Sequence, residues 1–258
     1  MPKAKKRPFT IVANWKMNKT IAQAQQYAAQ LPGLFEGIDT CIWLAVPFTA
    51  IHSVREALPE KFRVGAQNMN NAVSGAFTGE VAAEMIGEAG GDFVLLGHSE
   101  RRHYFHETDE FINQKVVKAL ESSLSPVLCI GETFEEREGG RTQEVLTQQL
   151  SLGLESVSKK DISRCLIAYE PVWAIGTGKS ATSEIVLDTH GMIRSAIASL
   201  YDEKCAQNMP VLYGGSVSPS SSEALSKIEG VDGFLVGTAS LDPETFAKIA
   251  QLSHNGSK

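Results

Sequence analysis

The chain has 258 residues, of which 43% are hydrophobic and 21% charged. Those are ordinary values for a globular protein, and the length suits two small domains or one layered domain. With 24 basic and 30 acidic residues the formal net charge is −6, which argues against a broad nucleic-acid surface, and no apolar run approaches the roughly 18 residues of a membrane span.

Residues 1–8 read as a basic, solvated tail around Lys3-Ala4-Lys5-Lys6-Arg7. No apolar segment follows of the kind a secretion signal needs, so a cytoplasmic protein is expected. Strands are expected at 9–13, 41–46, 62–66, 93–96, 127–130, 165–169, 211–213 and 233–236. They are apolar throughout rather than alternating, as in a parallel sheet covered on both faces. Between them lie helical segments. Ile112, Val116, Ala119 and Leu120 share one helix face. Thr133-Phe134-Glu135-Glu136 has the form of a capping box. Ile185, Thr189, Met192, Ile193, Ala196, Ile197 and Leu200 form another apolar stripe, and Asp242-Pro243 reads as a cap followed by proline at the first helical position.

Eight strand–helix units fill residues 9–252, with no low-complexity linker and a short tail at 253–258. They predict a single-domain α/β fold, a (β/α)8 barrel. The rival is an open doubly wound sheet, which usually carries a glycine-rich turn after its first strand. Here that strand runs into Asn14-Trp15-Lys16-Met17-Asn18, without glycine. The four cysteines Cys41, Cys129, Cys165 and Cys205 form no Cys-x-x-Cys pair and read as buried, reduced thiols.

In such a barrel, chemistry gathers where strands end. Asn14 and Lys16 follow the first strand, His98 the fourth and Glu170 the sixth. A lone strand-end glutamate is more often a salt-bridged rim residue, and a lone histidine more often a cap. Their surroundings favour catalysis. Glu170 precedes a stiff proline and a loop, Pro171-Val172-Trp173-Ala174-Ile175-Gly176-Thr177-Gly178-Lys179-Ser180-Ala181, whose apolar tip suits a lid that excludes water. Its Gly-Thr-Gly-Lys-Ser end is not a P-loop, because Trp173 stands where the first glycine is required. His98 stands before a short helix, whose N–H groups disfavour imidazolium. Tyr213-Gly214-Gly215-Ser216 and Gly237-Thr238 follow the seventh and eighth strands, where barrels often bind phosphate.

The motifs Asn14-Trp15-Lys16-Met17-Asn18, Gly97-His98-Ser99-Glu100-Arg101-Arg102, Leu128-Cys129-Ile130-Gly131-Glu132, 168–178 and Tyr213-Gly214-Gly215-Ser216-Val217 resemble those of the triosephosphate isomerase family, in the family's order. The resemblance implies interconversion of dihydroxyacetone phosphate and glyceraldehyde 3-phosphate without metal or cofactor. It implies Glu170 as base and neutral His98 as electrophile, a pairing for which this family is the standing example. It implies Lys16 and Asn14 at the substrate, and Gly176, Ser216, Gly237 and Thr238 as phosphate-binding N–H groups. Tyr213 and Ser216 would latch the closed lid. Loop 67–80 would join a homodimer, with Thr78 approaching Asn14 of the partner subunit and Glu80 pairing with the partner's Arg101.

Two departures are expected to matter. Thr238 replaces a usual glycine, so strain is expected if the turn needs positive φ. Ala82 replaces a usual serine, which removes a helix cap. Two rivals keep the barrel: another sugar-phosphate enzyme, with different strand-end groups, or a non-catalytic scaffold, which would have lost one of the catalytic set.

Overall fold

A computed structural model of the chain describes residues 7–174 and 181–256. Eight parallel strands close into a barrel in chain order. They are β1 (Thr10–Asn14), β2 (Cys41–Val46), β3 (Phe62–Ala66), β4 (Phe93–Leu96), β5 (Ser125–Ile130), β6 (Leu166–Tyr169), β7 (Val211–Tyr213) and β8 (Gly233–Val236). β1 pairs with β2 from Thr10↔Cys41 to Asn14↔Ala45, and with β8 from Thr10↔Gly233 to Ala13↔Val236, which completes the circle. The expected strands hold, with boundary shifts at β1, β5 and β6.

The apolar run of each strand has two uses. Val12, Trp43, Phe93, Leu95, Val127 and Leu212 pack together as one cluster, filling the barrel interior. Their neighbours, such as Ile11, Ala13, Leu44 and Val94, join a second cluster with the helices, including Tyr27, Leu31 and Ile193. A strand buried on both faces cannot alternate with polar residues, which explains the pattern in the sequence. Among the described residues no helix is long and apolar enough to cross a membrane.

The helix Asp109–Glu121 buries Ile112, Val116, Ala119 and Leu120, as the pattern predicts. Phe134–Glu138 opens on the expected capping box. Thr245 N–H donates to Asp242 Oδ2 at 2.8 Å at the start of the last helix, Pro243–Gly256. The helix Ser183–Leu200 differs in its stripe. Val186 and His190 lie on the buried face, while Leu200 is exposed and Met192 half-buried. The face is thus centred on 186, 190, 193 and 197, and a histidine in its middle hides it from an apolar count. Only Cys129 and Cys165 are buried; Cys41 and Cys205 are half-buried, and all four thiols are free. Cys41 opens a strand at the barrel's rim and Cys205 sits on a short surface helix, so neither is enclosed.

His190 is fully buried, and its Nδ1 donates to Gly230 O at 3.0 Å. Burial pushes its pKa down to about 4, against a smaller rise from that hydrogen bond. The unfolded imidazole takes a proton near its ordinary value of 6.5, whereas the folded one stays neutral. Its contribution is therefore complete above pH 6.5 and is lost as pH falls towards 4, by about 3 kcal/mol. His190→Asn keeps a donor for Gly230 but cannot titrate. Chemical denaturation between pH 4 and 7 should show a shallower acid-side loss in that variant.

Ala82 caps the helix Ala83–Glu88 with φ −81° and ψ 160° and makes no side-chain cap bond. Its backbone is already in cap geometry, so Ala82→Ser should stabilise the fold by about 0.5–2 kcal/mol. A rise in thermal midpoint of about 2–4 °C per kcal/mol is the expected reading.

Candidate active site

Asn14, Lys16, His98, Glu170, Ser216, Gly237 and Thr238, singled out from the sequence, line one cavity at the C-terminal mouth of the barrel, and Tyr213 does not. The cavity holds about 440 Å³. The residues Ile175, Gly176, Thr177, Gly178, Lys179 and Ser180 lie outside the described residues, so the expected phosphate contact of Gly176 and the lid tip are not located.

Glu170 follows β6 and is 2% exposed. Its backbone N–H donates to Ile130 O at 2.7 Å, extending the strand ladder by one residue. Its carboxylate is held on both oxygens: Oε1 lies 3.0 Å from His98 Nε2, and Oε2 accepts from Ser99 N–H at 2.9 Å. Burial raises its pKa, but the His98 charge and hydrogen bond, the Ser99 N–H and Lys16 together lower it below the ordinary value. The carboxylate is thus ionised though enclosed.

Two glycines allow that placement. A Cβ at Gly131 would meet Glu170 O at 1.7 Å, and one at Gly214 would meet Glu170 Cγ at 3.0 Å. The sequence reading treats Gly214 as a phosphate turn and gives Gly131 no role. Both also clear room for the backbone and side chain of Glu170.

His98 is the N-cap of the helix Ser99–Tyr104, as its position predicts. Its Nδ1 accepts from Glu100 N–H at 3.2 Å. An accepting Nδ1 carries no proton, so the proton of a neutral ring sits on Nε2 and points at Glu170. Burial lowers the His98 pKa, while the charge of Glu170, its hydrogen bond and Glu100 raise it by more. The rise belongs to the resting pair. It fades when Glu170 leaves, and the Glu100 N–H and burial then favour the neutral ring.

Lys16 sits at φ 52°, in the left-handed region. For a non-glycine residue that conformation costs on the order of 1–2 kcal/mol. Asn14, 5% exposed, holds it there, its Oδ1 accepting from Lys16 N–H at 3.0 Å. Lys16 Nζ pairs with Glu100 Oε1 at 2.5 Å and lines the cavity.

At Thr238 the condition for strain is not met. The residue opens a 3-10 turn, Thr238–Ser240, and is not among the residues with positive φ. No left-handed strain arises, and its side chain is exposed. The turn after β8 therefore tolerates a β-branched residue, and Gly237 and Thr238 both line the cavity.

The lid base differs from the picture of an exposed apolar tip. Val172–Ala174 form a 3-10 turn; Ala174 is buried and Trp173 half-buried. Trp173 Nε1 donates to Glu132 Oε1 at 2.9 Å, the Tyr169 hydroxyl donates to the same oxygen at 3.0 Å, and Arg137 pairs with it at 3.0 Å. The Arg137 guanidinium lies 5.1 Å from the Trp173 ring centroid. Glu132 is fully buried, and the sequence reading gave it no role. A glutamate two residues beyond β5 was the available signal. At the far end of the lid, the backbone of Ala181 hydrogen-bonds the Tyr213 hydroxyl, whose pKa burial pushes up to about 12 against the lowering effect of that bond.

Of the expected dimer contacts, Thr78 and Glu80 stand exposed on loop 67–80. Glu80 Oε2 accepts from Asn70 within the chain at 2.8 Å. Arg101 pairs with Glu107 at 2.6 Å, and Glu107 also takes the buried Lys115 at 2.6 Å. Among the described residues no cluster of three His, Cys, Asp or Glu side chains is arranged to hold a metal ion.

The family model described as triosephosphate isomerase matches residues 9–253. A triosephosphate isomerase from Protochlamydia amoebophila (strain UWE25) is 48% identical over 244 residues, 94% of this chain and 92% of that protein. One from Alkaliphilus metalliredigens (strain QYMF) is 45% identical over 243 residues, covering 94% and 98%. One from Fusobacterium nucleatum subsp. nucleatum is 44% identical over 250 residues, covering 96% and 100%.

Glu132→Gln keeps the shape of the lid anchor but removes its charge. The loss of charge-assisted hydrogen bonds should destabilise the fold by about 1.5–3 kcal/mol. Tryptophan emission should change as the charge beside the Trp173 indole is removed, while an unchanged spectrum would mean Glu132 does not hold the lid base.

Proposed function

The chain belongs to the triosephosphate isomerase family, and we propose that Glu170 is the base in its interconversion of dihydroxyacetone phosphate and D-glyceraldehyde 3-phosphate. The observation that carries this reading is the ionised, nearly buried Glu170 carboxylate in contact with His98 Nε2 at 3.0 Å, in a cavity that Ser216, Gly237 and Thr238 also line.

In the resting arrangement both Glu170 oxygens are engaged, by His98 and by Ser99 N–H. Catalysis therefore begins with their release. The substrate carbonyl oxygen takes the place of the carboxylate at His98 Nε2–H, and Glu170 turns to the carbon-bound proton. Glu170 removes that proton to give the enediolate, and His98 stabilises the oxygen that gains charge. Protons then pass between the two oxygens through His98, and Glu170 returns its proton to the neighbouring carbon. Lys16 offsets the substrate's negative charge, and Asn14 fixes the loop that carries it.

N–H groups of Gly176, Ser216, Gly237 and Thr238 hold the phosphate. The lid, Pro171 to Ala181, closes over the enediolate and keeps out water, in which the intermediate would lose its phosphate. Tyr213 and Ser216 latch it. The Ala181 contact of Tyr213 supports one end of that latch.

The same reading makes the protein a homodimer through loop 67–80. That loop exposes Val73 and Phe77, each to about half. Beside the active site a second cavity of about 280 Å³ is lined by Met17, Phe48, Arg101 and Phe105. Met17 is 96% exposed, an unusual state for a large apolar side chain. In the dimer Thr78 reaches Asn14 of the partner subunit, and Glu80 meets the partner's Arg101. Four free thiols fit a reducing compartment, the cytoplasm.

Glu170→Asp withdraws the carboxylate by about one methylene. A displacement near 1 Å can lower turnover by ~10²-fold. Steady-state assay with glyceraldehyde 3-phosphate should show that fall with the fold intact; near-normal turnover would exclude Glu170 as the base. Phe77→Asp, on the exposed loop, should shift the protein from dimer to monomer in sedimentation.

A further inference from the structure

The turn after β8 is braced from behind by residues that directly follow β1. The buried Tyr27 hydroxyl donates to Ser240 O at 2.8 Å. Lys19 Nζ donates to the next carbonyl, Leu241 O, at 2.8 Å. The Lys19 ammonium lies 4.6 Å from the Tyr27 ring centroid and 5.3 Å from that of Trp15, and the two rings meet edge-on at 4.8 Å. Within the turn, Ser240 N–H and its hydroxyl both return to Gly237 O, at 2.8 and 2.7 Å. The two carbonyls at the end of the 3-10 turn are thus held by a phenol and an ammonium. Cations at that end complement the turn's dipole, and Gly237 and Thr238 at its start line the cavity.

Lys19 also sits at φ 74°, where the backbone favours glycine. A lysine there is retained against local strain, and its side chain is what the position gains. Burial lowers its pKa, with Asp242 drawing it back up. Three residues earlier the same segment carries Lys16. A Cβ at Gly237 would lie 3.6 Å from Lys16 Cε, so the two loops meet at the cavity. The brace therefore sets the distance between the substrate lysine and the turn's N–H groups, which must grip one ligand together.

We propose that Lys19 and Tyr27 are positioning residues for the substrate phosphate: they hold the carbonyl end of the Thr238–Ser240 turn so that its N–H groups and Lys16 close on the same dianion. The proposal rests on seating the phosphate at Gly237 and Thr238.

The test uses the full chain, with inorganic phosphate as competitive inhibitor and glyceraldehyde 3-phosphate as substrate. In Lys19→Met and Tyr27→Phe, the inhibition constant for phosphate and KM should rise together, by roughly three- to tenfold, the worth of one hydrogen bond. The fall in kcat should be smaller. Lys19→Arg, which can still donate and stack on the rings, should recover most of the loss. Lys19→Gly relieves the backbone strain, so its thermal midpoint should equal or exceed that of Lys19→Met while its phosphate binding stays as weak. An unchanged inhibition constant in both Lys19→Met and Tyr27→Phe would overturn the proposal. So would a loss of phosphate binding that merely tracks thermal midpoint across the four variants. Failure of the underlying assignment reads differently: Thr238→Asp would then leave phosphate inhibition intact.

Discussion

A carboxylate removed from water stays charged only if its surroundings replace the lost hydration. Glu170 meets that condition with an imidazole N–H and a backbone N–H, both supplied by the segment that follows β4. Most of the site's geometry answers to this requirement. Gly131 and Gly214 clear the space around Glu170, and His98 caps the short helix whose first N–H meets the carboxylate. The same helix supplies the Glu100 N–H that fixes the imidazole tautomer. Closure of the barrel brings β4 and β6, separated in sequence by some seventy residues, to the same mouth.

Glu132 repeats the pattern one strand away. It is fully buried, and a tyrosine, a tryptophan and an arginine gather on one of its oxygens. Because Trp173 belongs to the segment that follows Glu170, this carboxylate ties the resting position of the lid base to the interior. Two buried carboxylates thus divide the mouth: one faces the cavity, and the other anchors the loop that borders it.

At the opposite wall the constraint is on the backbone. N–H groups can hold an anion only if the turn bearing them is rigid before the anion arrives, since ordering a loose turn subtracts from affinity. The turn after β8 carries its own internal hydrogen bonds and is held through its terminal carbonyls by Tyr27 and Lys19. This is why a threonine is accommodated there. The 3-10 form asks for negative φ, which a β-branched residue adopts without strain.

The sequence by itself determined the architecture and most of the site. Continuous apolar runs could only be strands covered on both faces, eight units filled the length, and catalytic residue types clustered at the strand ends. Helix signals written in neighbouring residues, such as Thr133 with Glu136 and Asp242 before Pro243, held for the same reason: a cap is a local interaction. What tertiary structure decided were contacts across the barrel. Glu132 looked like an unremarkable loop residue until β6 and the lid base converged on it. His190 interrupted an apolar stripe although it sits in the middle of the buried face. Thr238 suggested strain that only the observed turn type could dismiss. Nothing in the sequence marks Lys19, whose ammonium donates to Leu241 O more than two hundred residues away. A chain read in order shows periodicity and spacing, but a side chain's partner across a closed barrel is set by the closure itself.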